Sequence, residues 1–156
     1  MRLKEWEVFK QWLQRLWSPK ISGDPSIKVL IIEDSRVDAE LIKKAVDVCG
    51  YSSLVAYDGK TGVEMAQKHK PNLIVLDYHL PDINGGQVLK KLRSNKETSS
   101  EAVMVLTVLK HAGIVIDSMA QGADQYFTKP ISVSLLAKEI KGMIRYSQVG
   151  LDGNNK

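Results

Sequence analysis

Asn72-Leu73-Ile74-Val75-Leu76-Asp77-Tyr78-His79-Leu80-Pro81 is the stretch on which the reading of this chain turns. Four apolar residues run unbroken and stop at an aspartate. A short apolar run of this kind suits a strand buried on both faces, as in a parallel sheet. Asp77 then stands where the strand leaves the core, and Pro81 with Gly85-Gly86 marks a loop straight after it. In open parallel sheets ligands bind beyond the carboxyl ends of the strands, so a carboxylate at that edge is placed for chemistry. A turn-capping role is the plain alternative for a lone loop aspartate.

Three other segments repeat the pattern. Ile27–Ile32 ends at Glu33-Asp34, 102–106 ends at Thr107, and 124–128 ends at Lys129-Pro130. Two acids, an acid, a hydroxyl and a lysine at four strand ends exceed what chance placement supplies. Between the strands the period changes to that of helices. Asp34 or Ser35 can cap a helix with Val37, Leu41, Ala45 and Val48 on one face, ended by Gly50. Ser52–Ala56 reads as a short strand. Asp58 caps a second helix with Val63 and Ala66 inward, and a third runs from about Gly86 to Arg93 with Val88, Leu89 and Leu92 apolar. The segment 108–121 is a weaker helix. Gly113 costs about 1 kcal/mol against alanine, and Ile114-Val115-Ile116 is β-branched. Gly122 ends it. A last helix runs from Ser132 to about Ser147, with Val133, Leu136, Ile140, Met143 and Ile144 inward. Five β/α repeats joined by right-handed crossovers give an α/β fold, a doubly wound five-stranded parallel sheet with helices on both faces.

Composition sets the outer bounds. The 156 residues suffice for one domain with a sizeable core, and the hydrophobic share of 44% is ordinary for a globular protein. The single cysteine, Cys49, excludes an internal disulfide framework and fits a reducing, cytoplasmic setting. Its place near a helix end favours a packed thiol. No run of 18 apolar residues spans a membrane, and the charged start is not a signal peptide. Residues 1–20 carry five Lys/Arg and two Glu, whereas the other 136 carry 17 basic and 16 acidic side chains. The surplus of positive charge thus sits at the N-terminus, and direct nucleic-acid binding by the main domain is not expected. Residues 3–17 are predicted to form an amphipathic helix with Leu3, Trp6, Phe9, Trp12, Leu13, Leu16 and Trp17 on one face. Ser18-Pro19 ends it and Gly23-Asp24-Pro25-Ser26 reads as a linker. Such a helix can pack on the main domain, pair with a second subunit in a homodimer, dock a partner, or make peripheral contact with a membrane surface.

If the strand ends meet, Glu33, Asp34 and Asp77 bring three carboxylates to one ammonium, Lys129. A hard divalent cation bound through oxygen balances that charge, and Mg²⁺ is the natural one. A metal beside a lysine and a hydroxyl is equipment for phosphoryl transfer, in which a carboxylate can itself be the nucleophile. Asp77, alone on its strand, is the better nucleophile; Glu33 and Asp34 are the better ligands.

From Ile27 to about Ser147 the chain resembles the receiver domain of bacterial two-component response regulators. The resemblance rests on Glu33-Asp34, on Asp77 in Asp-x-x-x-Pro with Gly85 beyond, on Thr107 thirty residues later, and on Tyr126 with Lys129-Pro130. It implies a flavodoxin-like sheet of order 2-1-3-4-5 and three segments: 1–26 helix and linker, 27–147 receiver domain, 148–156 polar tail. It implies that Asp77 accepts a phosphoryl group from a histidine kinase or histidine phosphotransfer protein. Glu33, Asp34, Asp77 and the backbone carbonyl of His79 would hold Mg²⁺. Lys129 and Thr107 would contact the phosphoryl oxygens, Tyr126 would follow Thr107, and the surface of residues 108–147 would switch. The Lys129–Pro130 bond is expected to be cis. Such a domain catalyses only its own phosphorylation and dephosphorylation; its downstream partner is not written in the sequence.

Two positions depart from the commonest family pattern. Val108 stands where a small residue usually follows the threonine, and His79 occupies a loop position that tunes hydrolysis; both bear on the lifetime of the phosphorylated state. His69 and His111 read as surface residues. Two other functions compete. An aspartate-nucleophile phosphatase wants a second aspartate two residues after the first, where this chain has His79. A phosphorylation-independent scaffold would keep the fold without using Asp77.

Overall fold

The computed structural model describes residues 23–152. Five strands and five helices alternate: β1 (Lys28–Ile32), α1 (Arg36–Cys49), β2 (Ser52–Ala56), α2 (Gly59–His69), β3 (Leu73–Leu76), α3 (Gly85–Ser94), β4 (Ala102–Thr107), α4 (Ala112–Ala120), β5 (Gln125–Thr128) and α5 (Val133–Asp152). All strand pairs are parallel, in the order β2-β1-β3-β4-β5 expected from the family resemblance. The helix expected at 3–17 lies outside the described residues.

Successive strand residues point to opposite faces, so the apolar runs feed two cores. Val29, Ile31, Leu73, Val75, Met104 and Leu106 meet α1 and α5 on one face. Leu30, Ile32, Ile74, Leu76, Val103 and Val105 meet α2 and α3 on the other. Each fully buried Leu or Ile contributes roughly 1.5–3 kcal/mol relative to an exposed one, and the sheet is therefore rigid enough to fix side chains at its rim.

The caps follow the sequence closely. Ser35 accepts a hydrogen bond from Asp38 N at the start of α1, and Gly50 closes it in the left-handed conformation at φ 74°. Asp58 caps α2, and Asn84 with Gln87 forms a reciprocal capping box on α3. Cys49 is buried, its thiol donating to Ala137 O at 3.3 Å.

Three expectations need correction. The buried face of α1 is Ala39, Ile42, Ala45, Val46 and Cys49, while Val37 and Val48 are 78% and 55% exposed. Two apolar stripes run along this helix, and packing against α5 selects the one that carries Cys49. Helix α4 begins at Ala112, not at 108, because residues 108–111 form the loop that leaves β4 over the rim. Helix α5 continues past Ser147 to Asp152.

The weakness predicted for α4 has structural correlates. His111 at its N-cap makes no side-chain capping bond, Ser118 is its one buried residue, and Ile116 and Met119 are exposed. A neighbouring clasp is firmer. Arg93 donates to the carbonyls of Ser99, Glu101 and Gly122 and pairs with Asp124 at 3.1 Å, tying the α3–β4 loop to the α4–β5 turn.

Candidate phosphoacceptor site

Register brings the functional residues together. Ile32 lies opposite Leu76, Leu76 opposite Val105, and Thr107 opposite Thr128. The next residue along each of β1, β3 and β5 is Glu33, Asp77 and Lys129, all at one edge. Backbone pairing continues one step past the strands, with Asp77 N donating to Ile32 O and Lys129 N to Thr107 O.

The Lys129 ammonium is the hub. Its Nζ lies 2.6 Å from Glu33 Oε2, 2.9 Å from Asp38 Oδ2 and 3.1 Å from Asp77 Oδ2. Burial opposes its charge, but the hydrogen bonds it donates to Asp38 and Glu33, with the field of Asp77, hold its pKa above the ordinary lysine value. One ammonium cannot neutralise all its neighbours. Burial, helped by Asp77, pushes the Glu33 carboxyl above the ordinary range against the pull of Lys129. Glu33 Oε1 also accepts from Ser35 N at 3.1 Å, and Asp77 Oδ1 from His79 N at 3.1 Å. Both buried carboxylates are thus fixed at both oxygens.

Glu33, Asp34 and Asp77 each present a carboxylate oxygen, and these lie within 4.8 Å of one another. Asp34 is exposed and takes no hydrogen bond among the described residues. The set fits a hard divalent ion: oxygen donors, a surplus of negative charge, and an open side toward solvent. The lysine pairs with Glu33 and Asp77 of this set but forms no ion pair with Asp34.

Thr107 is fully buried, and its Oγ1 accepts a long 3.5 Å hydrogen bond from Leu109 N. The Tyr126 hydroxyl donates to Leu109 O. Both residues of the expected switch therefore hold the two ends of one peptide segment. The Lys129–Pro130 peptide bond is cis, as expected. Val108 is 60% exposed beside the site, and the His79 and His111 side chains are exposed.

Sequence reasoning missed Asp38, Asp82 and Leu109. Asp82 accepts from Gly59 N and Lys60 N, each at 2.8 Å, joining the β3–α3 loop to the start of α2. Burial works against its charge, yet those N–H groups hold its carboxyl down at about 2. Its one signal was an acid directly after Pro81. The same loop depends on Gly85, where a Cβ would lie 2.7 Å from Tyr78 Cα. Gly85→Ala is expected to cost about 1–3 kcal/mol, read as a lower urea midpoint.

The profile of the response regulator receiver domain matches residues 29–141. The chain belongs to the response-regulator receiver domain family. It is 32% identical over 118 residues to the DNA-binding dual master transcriptional regulator RpaA of Synechocystis, covering 76% of this chain and 49% of RpaA. It is 28% identical over 116 residues to the polar-differentiation response regulator DivK of Brucella anthropi, covering 74% of this chain and 94% of DivK. Among solved structures, the Mn²⁺-bound response regulator Rcp1 superposes with a TM-score of 0.64 at 27% identity, over 75% of this chain and 91% of that one. The chain spans about half the length of several curated relatives it matches. Receiver domains serve phosphorylation-based signalling and bind Mg²⁺ at an acidic pocket, and this receiver carries such a cluster. Among the described residues, no helix is long and apolar enough to cross a membrane.

Proposed function

We propose that Asp77 of this receiver accepts a phosphoryl group from a histidine kinase or histidine phosphotransfer protein, in a Mg²⁺-dependent reaction. One observation carries the reading. The Asp77 carboxylate is buried at the end of the central strand, with the Lys129 ammonium at 3.1 Å and carboxylate oxygens of Glu33 and Asp34 within 4.8 Å. Glu33, Asp34, Asp77 and the His79 carbonyl would hold the ion, which when bound offsets charge on carboxylates and phosphoryl oxygens. Rcp1, of the same family, is known with a divalent ion.

The chain's own groups supply the rest. The donor's P–N bond breaks, its electron pair returning to the imidazole, while an Asp77 oxygen forms the new P–O bond. Lys129 faces the added negative charge and the Thr107 hydroxyl donates a hydrogen bond to a phosphoryl oxygen. That turn of Thr107 ends its acceptance from Leu109 N. Leu109 O holds Tyr126, so the β4–α4 loop and the weakly anchored α4 follow. The output surface is residues 108–147.

Light scattering with and without Mg²⁺ and beryllofluoride, together with intact mass after incubation with acetyl phosphate, tests this reading. An added phosphoryl group on Asp77 is expected, with or without dimerisation. A chain that gains no mass under any donor while remaining folded would favour the scaffold reading. Asp34→Asn gives a separate check. In the absence of Mg²⁺ it removes a carboxylate from a crowded cluster, so the melting temperature is expected to hold or rise while Mg²⁺-dependent phosphorylation is lost. A clear fall in melting temperature would mark Asp34 as a structural residue.

A further inference from the structure

At the sheet edge opposite Asp77 lies an open groove of about 740 Å³ between the starts of β4 and β5 and helix α5. Its features are unusual for a plain surface. Both Glu101 carboxylate oxygens are buried and have no hydrogen-bond partner among the described residues. Burial pushes the Glu101 carboxyl up to about 7, and Arg93 and Lys70 offset it only in part. The Arg93 guanidinium is engaged by backbone carbonyls and Asp124. A second acid, Glu139, lines the groove from α5. Gly142 leaves that helix without a side chain, and a Cβ there would meet nothing within 4 Å. Glycine costs about 1 kcal/mol in a helix interior, yet here it opens space beside Met143 and the 84% exposed Tyr146.

We propose that the chain's own N-terminal segment, residues 3–17, docks in this groove, with its aromatic residues beside Gly142, Met143 and Tyr146 and a lysine or arginine paired with Glu101. The segment has the matching chemistry. It carries all three tryptophans, and residues 1–20 hold five Lys/Arg against two Glu. It also begins in reach. Gly23 packs on the Cys49–Gly50 turn, and the Cys49 thiol bonds Ala137 of α5. Lys28 N, five residues on, donates to Asn72 Oδ1 at 2.9 Å, and Asn72 lines the groove. From Trp17 to Gly23 an extended chain reaches about 20 Å, whereas Ala137 to Gly142 is about 7.5 Å along the helix. Docked there, the segment leaves the phosphoacceptor edge open, since the two lie at opposite ends of the strands.

The 156-residue chain reports on this directly, because its tryptophan emission comes only from that segment. Emission maximum and acrylamide quenching are measured for the wild type, Gly142→Arg and Glu101→Gln, with molar mass from light scattering. The expected result is blue-shifted, shielded emission in a wild-type monomer. Gly142→Arg, which suits a helix better than glycine, should move emission to the red and raise quenching several-fold while circular dichroism stays the same. Glu101→Gln should lower the melting temperature at pH 8 if a cation of the segment pairs with it; a rise would mean that the buried carboxylate has no partner, and would overturn the pairing. Emission already red in the wild-type monomer, or unmoved by Gly142→Arg, overturns the docking. Shielding that appears only with dimer mass assigns the segment to a second copy. Shielding that appears only on phosphatidylglycerol vesicles assigns it to a membrane. Either result also overturns the proposal.

Discussion

Replacing Lys129 by methionine is expected to destabilise the domain by about 3–5 kcal/mol, the cost typical of removing one partner from a buried ionic cluster. For a domain of this size that is a fall in melting temperature on the order of 10–20 °C. Methionine keeps most of the stem's volume, so packing is a minor part of the loss. The main part is charge. The Lys129 side chain is 11% exposed and bonds three carboxylates at 2.6, 2.9 and 3.1 Å. Without it Glu33, itself 1% exposed, keeps only the Ser35 N–H and faces Asp77 directly. The sign of the pH dependence follows. The Glu33 carboxyl is already raised from 4.5 towards 7 with the lysine present. A raised carboxyl binds more protons in the folded state than in the unfolded, so its stabilising share is present below about 4.5 and lost as pH rises through the folded value. The deficit of Lys129→Met should therefore be small near pH 5 and largest above pH 7. Millimolar Mg²⁺ should recover part of it. A variant equally stable at all pH values would show that the ammonium is not what holds the acids together.

How much of this site could be read from the residues alone depended on where the information lay. Glu33, Asp77 and Thr107 each follow an apolar run, Lys129 follows the mixed strand segment 124–128, and once parallel register is granted they must share an edge; their meeting was legible. Asp38 was not. It lies in the first turn of α1, where an acid is ordinary for a helix N-terminus. Only the folded chain brings it to a lysine 91 residues away. Lys129 thus pairs with Glu33, Asp38 and Asp77, and with Asp34 the edge holds four acids rather than the three first counted, which strengthens the case for a balancing cation. The buried face of α1 was misread for a related reason. Val37-Leu41-Ala45-Val48 and Ala39-Ile42-Val46-Cys49 are both spaced for a helix stripe, and local pattern does not rank them. Contact of Cys49 with Ala137 does. The start of α4 was set by tertiary demands too: Val108 to His111 must cross the rim so that Leu109 can meet Thr107 and Tyr126.

Asp77→Asn is expected to abolish phosphoryl acceptance while leaving the fold intact, and the contrast with Lys129→Met is what makes the pair informative. An amide oxygen is a poor nucleophile, so the rate should fall by at least about a thousandfold. The same change removes one negative charge from around Lys129 and leaves the ammonium bonded to Glu33 and Asp38. The amide oxygen can still accept from His79 N, which now meets Asp77 Oδ1 at 3.1 Å. Stability is therefore expected to hold or rise slightly, with an unchanged circular dichroism spectrum. Intact mass after acetyl phosphate treatment, followed by peptide mapping, gives the result. Absence of the modification in a fully folded Asp77→Asn chain ties acceptance to that carboxylate. A phosphoryl group found instead on the exposed Asp34 would move the acceptor to β1's end, and Asp77 would then be a ligand and a charge partner of Lys129 rather than the nucleophile.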